Sequence, residues 1–207
     1  MKPALVPAAL TVLAVLWGIG VRFDQLGSPA FETDEAIQYQ AARGILEKGQ
    51  PILPSGVRYE RGEAYSRLAA GLLSRLDPAE LAMRIPAATF GSLALILLTV
   101  IAWVLGGPWV AFWTAVLMAI YPEAVRLSRF GRFYTLQLLP GLLALYTGWR
   151  AFALDGDGTR RPDATGVRWL WAGGTIILLA AAARIQVVTL SVAAMWGLLM
   201  AGRGLMD

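Results

Sequence analysis

LAMRIPAATFGSLALILLTVIAWVLGGPWVAFWTAVLMAIY, residues 81 to 121, is the stretch that decides the fold. A helix needs about 20 mostly apolar residues to cross the hydrocarbon of a bilayer. Residues 81–105 meet that length, and Gly106, Gly107 and Pro108 then make a tight turn. A second apolar run, 108–121, follows at once. Working outward, the same argument places a first span at 5–22 and another at 134–152, and the last apolar region, 169–201, is long enough for two short spans, 169–183 and 186–201. Helices satisfy their own backbone polar groups in lipid. The expected fold is therefore an all-α membrane protein, a single helical membrane domain over 1–207 with about six transmembrane helices.

Composition agrees. The chain is 57% hydrophobic with a mean hydropathy of +0.58, values that suit a multi-span membrane protein better than a soluble domain. It has no cysteine, so no disulfide and no thiolate metal site. It has no histidine, which removes the commonest general base and the commonest metal ligand. Acid–base chemistry must then fall to Asp, Glu, Tyr or the two lysines, Lys2 and Lys48. No cofactor is expected. Carboxylates alone can hold a divalent metal, but no ligand cluster argues for one.

The formal net charge is +4, and 16 of the 18 basic residues are arginine. Arginine grips phosphate in a planar, bidentate fashion. Because the arginines sit between apolar runs, a membrane surface or a lipid phosphate is the expected partner, not a nucleic acid. The opening MKPALVPAALTVLAVLWGIGVRF has the basic start and apolar middle of a secretory signal. No small-x-small cleavage site follows, and it reads as a retained first span with Trp17 and Arg22 near an interface.

Residues 23–81 are too polar to span. Two helical patterns lie within them, at about 35–48 and 62–76, each with an apolar stripe flanked by charge. Such helices lie in the interface plane, and the Pro/Gly-rich 49–62 loop joins them. Residues 122–133 read as a short polar connection. Charge does not settle sidedness. With a cytoplasmic N-terminus the external segments hold more arginine than the internal ones, against the positive-inside rule.

Four groups of residues can carry chemistry. Asp34 and Glu35 are a candidate general base at the membrane surface, or else Thr33 or Asp34 is the N-cap of a helix and Glu35 a favourable first-turn charge. Arg126, Arg129 and Arg132 with Tyr134 form a candidate clamp for an anionic head group, or else a set of snorkelling arginines. Arg184 interrupts an apolar segment, where a charge is costly unless it serves a site or marks a turn. Tyr59, Arg61 and Tyr65 line a polar cavity or an exposed loop.

In order and spacing, these pieces resemble the GT-C superfamily of glycosyltransferases. RFDQLGSPAFETDEAIQYQAARGILEKGQPILPSGVRYERG looks like the first extracytoplasmic segment of the protein-mannosyltransferase and aminoarabinose-transferase group, glycosyltransferase family 39. That group carries an Asp-Glu pair just after its first span. ELAMRIPAATFGSLALILL is similar to its Arg-x-Pro opening of the second span, YPEAVRLSRFGRFYTLQLL to its second external connection, and AAAARIQ to a basic position between later spans. The resemblance covers the N-terminal half of such proteins.

It implies an inverting transferase that moves a sugar from a polyprenyl-phosphate donor to an extracytoplasmic acceptor, in a bacterial inner membrane. Asp34 would activate the acceptor, with Glu35 assisting or holding geometry. Arg129, Arg132, Tyr134 and Arg184 would bind the lipid phosphate, and Tyr59 and Arg61 the substrate. Besides the lipid-linked sugar and membrane lipids, other membrane subunits are expected as partners. The chain is then part of a split enzyme or, alternatively, a non-catalytic GT-C-derived subunit of a larger membrane complex. A small transporter is a third reading.

Overall fold

The computed structural model describes residues 5–152 and 165–186. Its regular elements are helices: α1 (Leu5–Phe23), α2 (Thr33–Lys48), α3 (Glu63–Leu73), α4 (Ala79–Ile120), α5 (Pro122–Arg129), α6 (Tyr134–Phe152) and α7 (Thr165–Ile185). Among the described residues, extended pairing is confined to an isolated antiparallel bridge between Ile52 and Arg58 in the loop before α3.

α4 shows how sequence sets the architecture. It is broken at Gly107, whose φ of 81° and ψ of −174° are open to glycine alone. Pro108 then starts the second limb, where its missing N–H costs nothing. The two limbs fold back on one another and α1 packs against both. A Cβ built on Gly18 of α1 would lie 2.8 Å from Ala119 Cβ and 2.8 Å from Leu95 Cδ2, one atom from each limb. The buried side of α4 is largely alanine, with Ala82, Ala87, Ala88, Ala111 and Ala115 fully enclosed. Small residues of this kind let helix backbones approach closely. Trp103, Trp109, Trp113 and Leu117 point outward.

α1 and α4 are long and apolar enough to cross a membrane, and Trp169–Ile185 within α7 is a shorter apolar helix. Three of the six expected spans fall in α1 and the two limbs of α4. α6 covers 134–152, but Gln137, Pro140 and Arg150 dilute its apolar content, and it is not a helix of that class. The expected span at 186–201 lies outside the described residues except for Gln186.

One expectation needs correction. The 122–133 connection contains α5, because Pro122 at the first helical position and Tyr121 in an extended conformation allow a new helix to start at once. The helix expected at about 62–76 is α3, which runs from Glu63 to Leu73 with Ser74 as its C-cap.

The chain divides into two compact units, Met1–Leu139 and Pro140–Asp207. In the second, Thr147 and Thr175 share a hydroxyl–hydroxyl hydrogen bond of 2.9 Å, and Arg150 lies over the Trp171 ring at 5.4 Å. In the first, α2 and α3 are stitched to each other and to α4. Gln38 Nε2 donates to Ser66 Oγ at 2.5 Å, and the Tyr65 hydroxyl donates to the Met83 carbonyl at 2.5 Å. Fully buried Arg22 ties α1 to the end of α4 and to α5, donating to Met118 O (3.0 Å) and Ser128 Oγ (3.1 Å). A Cβ on Gly91 would strike Ser128 at 2.2 Å, so α5 is seated directly on the first limb of α4.

Candidate functional site

The site is built where α2 begins. Its N-cap is Glu32, in an extended conformation, and not Thr33 or Asp34 as the side-chain preferences suggest. The reason is a reciprocal arrangement at capping-box spacing: the Glu35 carboxylate reaches back to accept the Glu32 N–H at 3.0 Å. Thr33 and Asp34 are left free of capping duty and face outward.

Glu35 is fully buried. Arg84, from the first turns of α4, donates to it twice in a fork, Nε to Oε1 at 2.8 Å and Nη2 to Oε2 at 2.6 Å. The Gly131 N–H adds a bond of 2.6 Å to Oε1. With the Glu32 amide, four donors converge on a group that has about four acceptor positions. Burial alone would raise the Glu35 carboxyl. The hydrogen bonds from Arg84, Gly131 and Glu32 and the Arg84 charge outweigh it and hold the group below the usual carboxylate range. Arg84 also donates to the carbonyls of Leu26 (3.2 Å), Pro29 (2.7 Å) and Ala30 (3.0 Å), so the chain leaving α1 is pinned by the same side chain. A Cβ on Gly131 would lie 3.0 Å from Glu35 Oε1, a tight contact that the braced carboxylate would have to yield to. Glu35 is thus committed to holding geometry.

Asp34, one residue earlier, is the opposite. Its side chain is 55% exposed and carries one ion pair, from Oδ2 to Arg132 Nη1. Arg132 is itself buried, places its charge over the rings of Phe133 and Tyr134 at 5.2 and 5.1 Å, and donates from Nη2 to the Tyr59 hydroxyl at 3.0 Å. Gly62 makes room for this segment: its φ is +62°, and a Cβ would strike the Phe133 ring at 2.2 Å. Asp34 lines a cleft of about 570 Å³ together with Phe31, Glu32, Arg126, Phe130 and Tyr134. The Phe130 and Tyr134 rings stack nearly parallel, with centroids 6.2 Å apart. Arg126 lies over Phe130 at 5.7 Å and forms an ion pair with Glu123 at 2.8 Å.

Of the residues nominated from sequence, Asp34, Tyr59, Arg132 and Tyr134 come together. Arg61 is exposed in the turn before α3. Arg129 turns away from the cleft lining and donates to the Val21 carbonyl at 2.8 Å. Arg184 is exposed in the last turn of α7, in the second unit. Tyr65 is fully buried, and burial pushes its hydroxyl up, so it serves as a donor. Sequence reasoning missed Arg84, Gly131 and Glu32. Arg84 had a visible signal, a charge only a few residues into a long apolar run, where a partner is required.

The cleft can bind a polar molecule between aromatic rings and a carboxylate edge. Among the described residues no group of three or more Asp or Glu side chains is placed to hold a metal ion. No protein-family model matches this chain, and neither a curated protein nor a solved structure matches it.

Proposed function

We propose that this chain is a membrane protein of about six spans, with α2 and α3 at the bilayer surface, and that it acts as a GT-C-like glycosyltransferase or as half of a split one. It would take a sugar from a polyprenyl-phosphate donor to an extracytoplasmic acceptor. The observation that carries the reading is Asp34: half-exposed, on the wall of a cleft lined with aromatic rings, and anchored by a buried arginine that also holds Tyr59. A carboxylate so placed has one oxygen fixed and the other open to an incoming hydroxyl or amine. In the reaction, the acceptor O–H or N–H gives its proton to Asp34 as the acceptor atom bonds to the anomeric carbon. The bond from that carbon to phosphate oxygen breaks, and polyprenyl phosphate leaves with both bonding electrons. Arg126 and Arg132 supply the cations nearest the cleft for the departing anion.

The test is reconstitution in vesicles with polyprenyl-phosphate mannose or aminoarabinose, with release of free polyprenyl phosphate as the readout. Asp34→Asn should abolish release while the protein still folds. Unchanged release would remove Asp34 from the role assigned to it.

One observation favours the alternative, a non-catalytic subunit derived from the same fold. The Asp34–Arg132 pair already satisfies part of the carboxylate, as a purely structural ion pair does. Purification from the native membrane separates the two readings: a stoichiometric large complex without transferase activity identifies the subunit.

A further inference from the structure

Between α3 and the first turns of α4 runs an open groove of about 380 Å³, distinct from the Asp34 cleft. Leu68, Leu72, Ile85, Pro86 and Phe90 form its apolar walls, and Arg75 is the one charged residue lining it. The hydroxyl of Thr89, which also lines it, is already satisfied by the Ile85 carbonyl at 2.8 Å. The walls therefore present hydrocarbon, and the single strong polar feature is a guanidinium.

Two further observations point to an occupant. Gly71 lies in the groove near the end of α3, where glycine costs a helix about 1 kcal/mol relative to alanine. A Cβ built there meets nothing within 4 Å, and its backbone is not left-handed. Neither packing nor conformation requires glycine there, and a larger side chain at this position would project into the groove. Arg75 is the second. Among the described residues no carboxylate pairs with Arg75; the same holds for Arg22, Arg61, Arg129, Arg150 and Arg184, but of these Arg75 alone lines the groove. The groove borders Ile85–Phe90, near the start of a helix long and apolar enough to cross a membrane.

We propose that this groove is a binding site for an anionic phospholipid, with one acyl chain between α3 and α4 and the head-group phosphate on Arg75. An apolar trough with one unpaired cation matches a molecule that joins a hydrocarbon chain to a fixed anion. The inference rests on the membrane placement proposed above and is independent of sugar transfer.

The test uses the full chain in detergent, mixed with equal amounts of phosphatidylglycerol and phosphatidylcholine, and native mass spectrometry to count the lipid retained. Phosphatidylglycerol should be favoured about tenfold, the factor that about 1.4 kcal/mol of selective contact produces. Arg75→Gln should remove the preference. Gly71→Leu projects into open space, so the protein should fold as before, yet retain less of either lipid. A preference that survives Arg75→Gln, or retention that survives Gly71→Leu, overturns the site. So does a protein dimer that holds no lipid and is broken by Gly71→Leu, which assigns the groove to a second copy. Flotation with vesicles separates the levels of failure. A chain that does not float loses the membrane placement and this site together, while one that floats without lipid preference loses the site alone.

Discussion

Asp34 and Glu35 are neighbours in sequence and opposites in environment. Glu35 is buried under four donors from three parts of the chain, and removing any one leaves a desolvated partner behind. Asp34 is more than half exposed and holds one partner at the edge of a cleft. One carboxylate organises the fold and the next stands half-exposed on the wall of a cleft. A single residue step along a helix is a rotation of about 100°, enough to move a side chain from core to surface. Two adjacent acids in a sequence are therefore no evidence of a catalytic pair.

The contrast can be broken most directly at Arg84. Arg84→Met leaves Glu35 buried without its cation, and breaking a buried pair in this way costs about 3–5 kcal/mol. Thermal unfolding in detergent should show a large loss, or the variant should fail to accumulate. A midpoint near that of the parent would mean that the brace is dispensable. Next comes Gly62→Ala. It puts a side chain into the left-handed region, at about 1–2 kcal/mol, and drives a methyl into the Phe133 ring, at about 1–3 kcal/mol more if the ring cannot yield. The same unfolding assay reads it, and Gly56→Ala, also left-handed but in open space, should cost only the first part.

Acid sharpens the comparison. The Glu35 carboxyl is held below its unfolded value, so its contribution is full above about pH 4.3, the unfolded carboxylate pKa, and is lost as pH falls through the lower folded value. The unfolding midpoint should be level from neutrality to about pH 5 and should drop in stronger acid, with a smaller drop in Glu35→Gln. An equal drop in both would trace the acid sensitivity to other groups. Asp34→Asn leaves the buried Arg132 guanidinium an amide oxygen to donate to in place of a carboxylate, so it should cost about 1–2 kcal/mol, less than Arg84→Met, while it removes the proposed activity. The smallest effect should come from Arg43→Gln. Its ion pair with Glu47 is exposed, and no shift in the unfolding midpoint is expected.

Much of the helical layout is legible from hydropathy alone. The 81–121 run fixes two limbs because apolar length is a local property, and Gly107 followed by Pro108 marks the break because those two residues restrict the backbone locally. The brace is not legible in that way. Glu35 meets Arg84 49 positions away and Gly131 96 away, and Asp34 meets Arg132 98 away. No periodicity encodes such pairings. The cap of α2 was hidden for another reason. Glutamate is not a favoured N-cap side chain, and Glu32 works there because Glu35 closes the turn from inside. Gly131 stood in plain view in the RLSRFGRFY motif, but its neighbours drew attention by their charge while its own contribution is a backbone N–H.

The break at Gly107 also bears on how the chain is put together. Because the limbs of α4 double back, its two ends emerge on the same side, whichever side that is. The second limb, 108–120, rises about 20 Å at roughly 1.5 Å per residue, so a hairpin of this form placed in a bilayer would carry Gly106, Gly107 and Pro108 at its innermost tip. Under the membrane placement proposed above, α2, α3 and α5 then lie on one side of the bilayer, and only the tip at 106–108 has to travel inward.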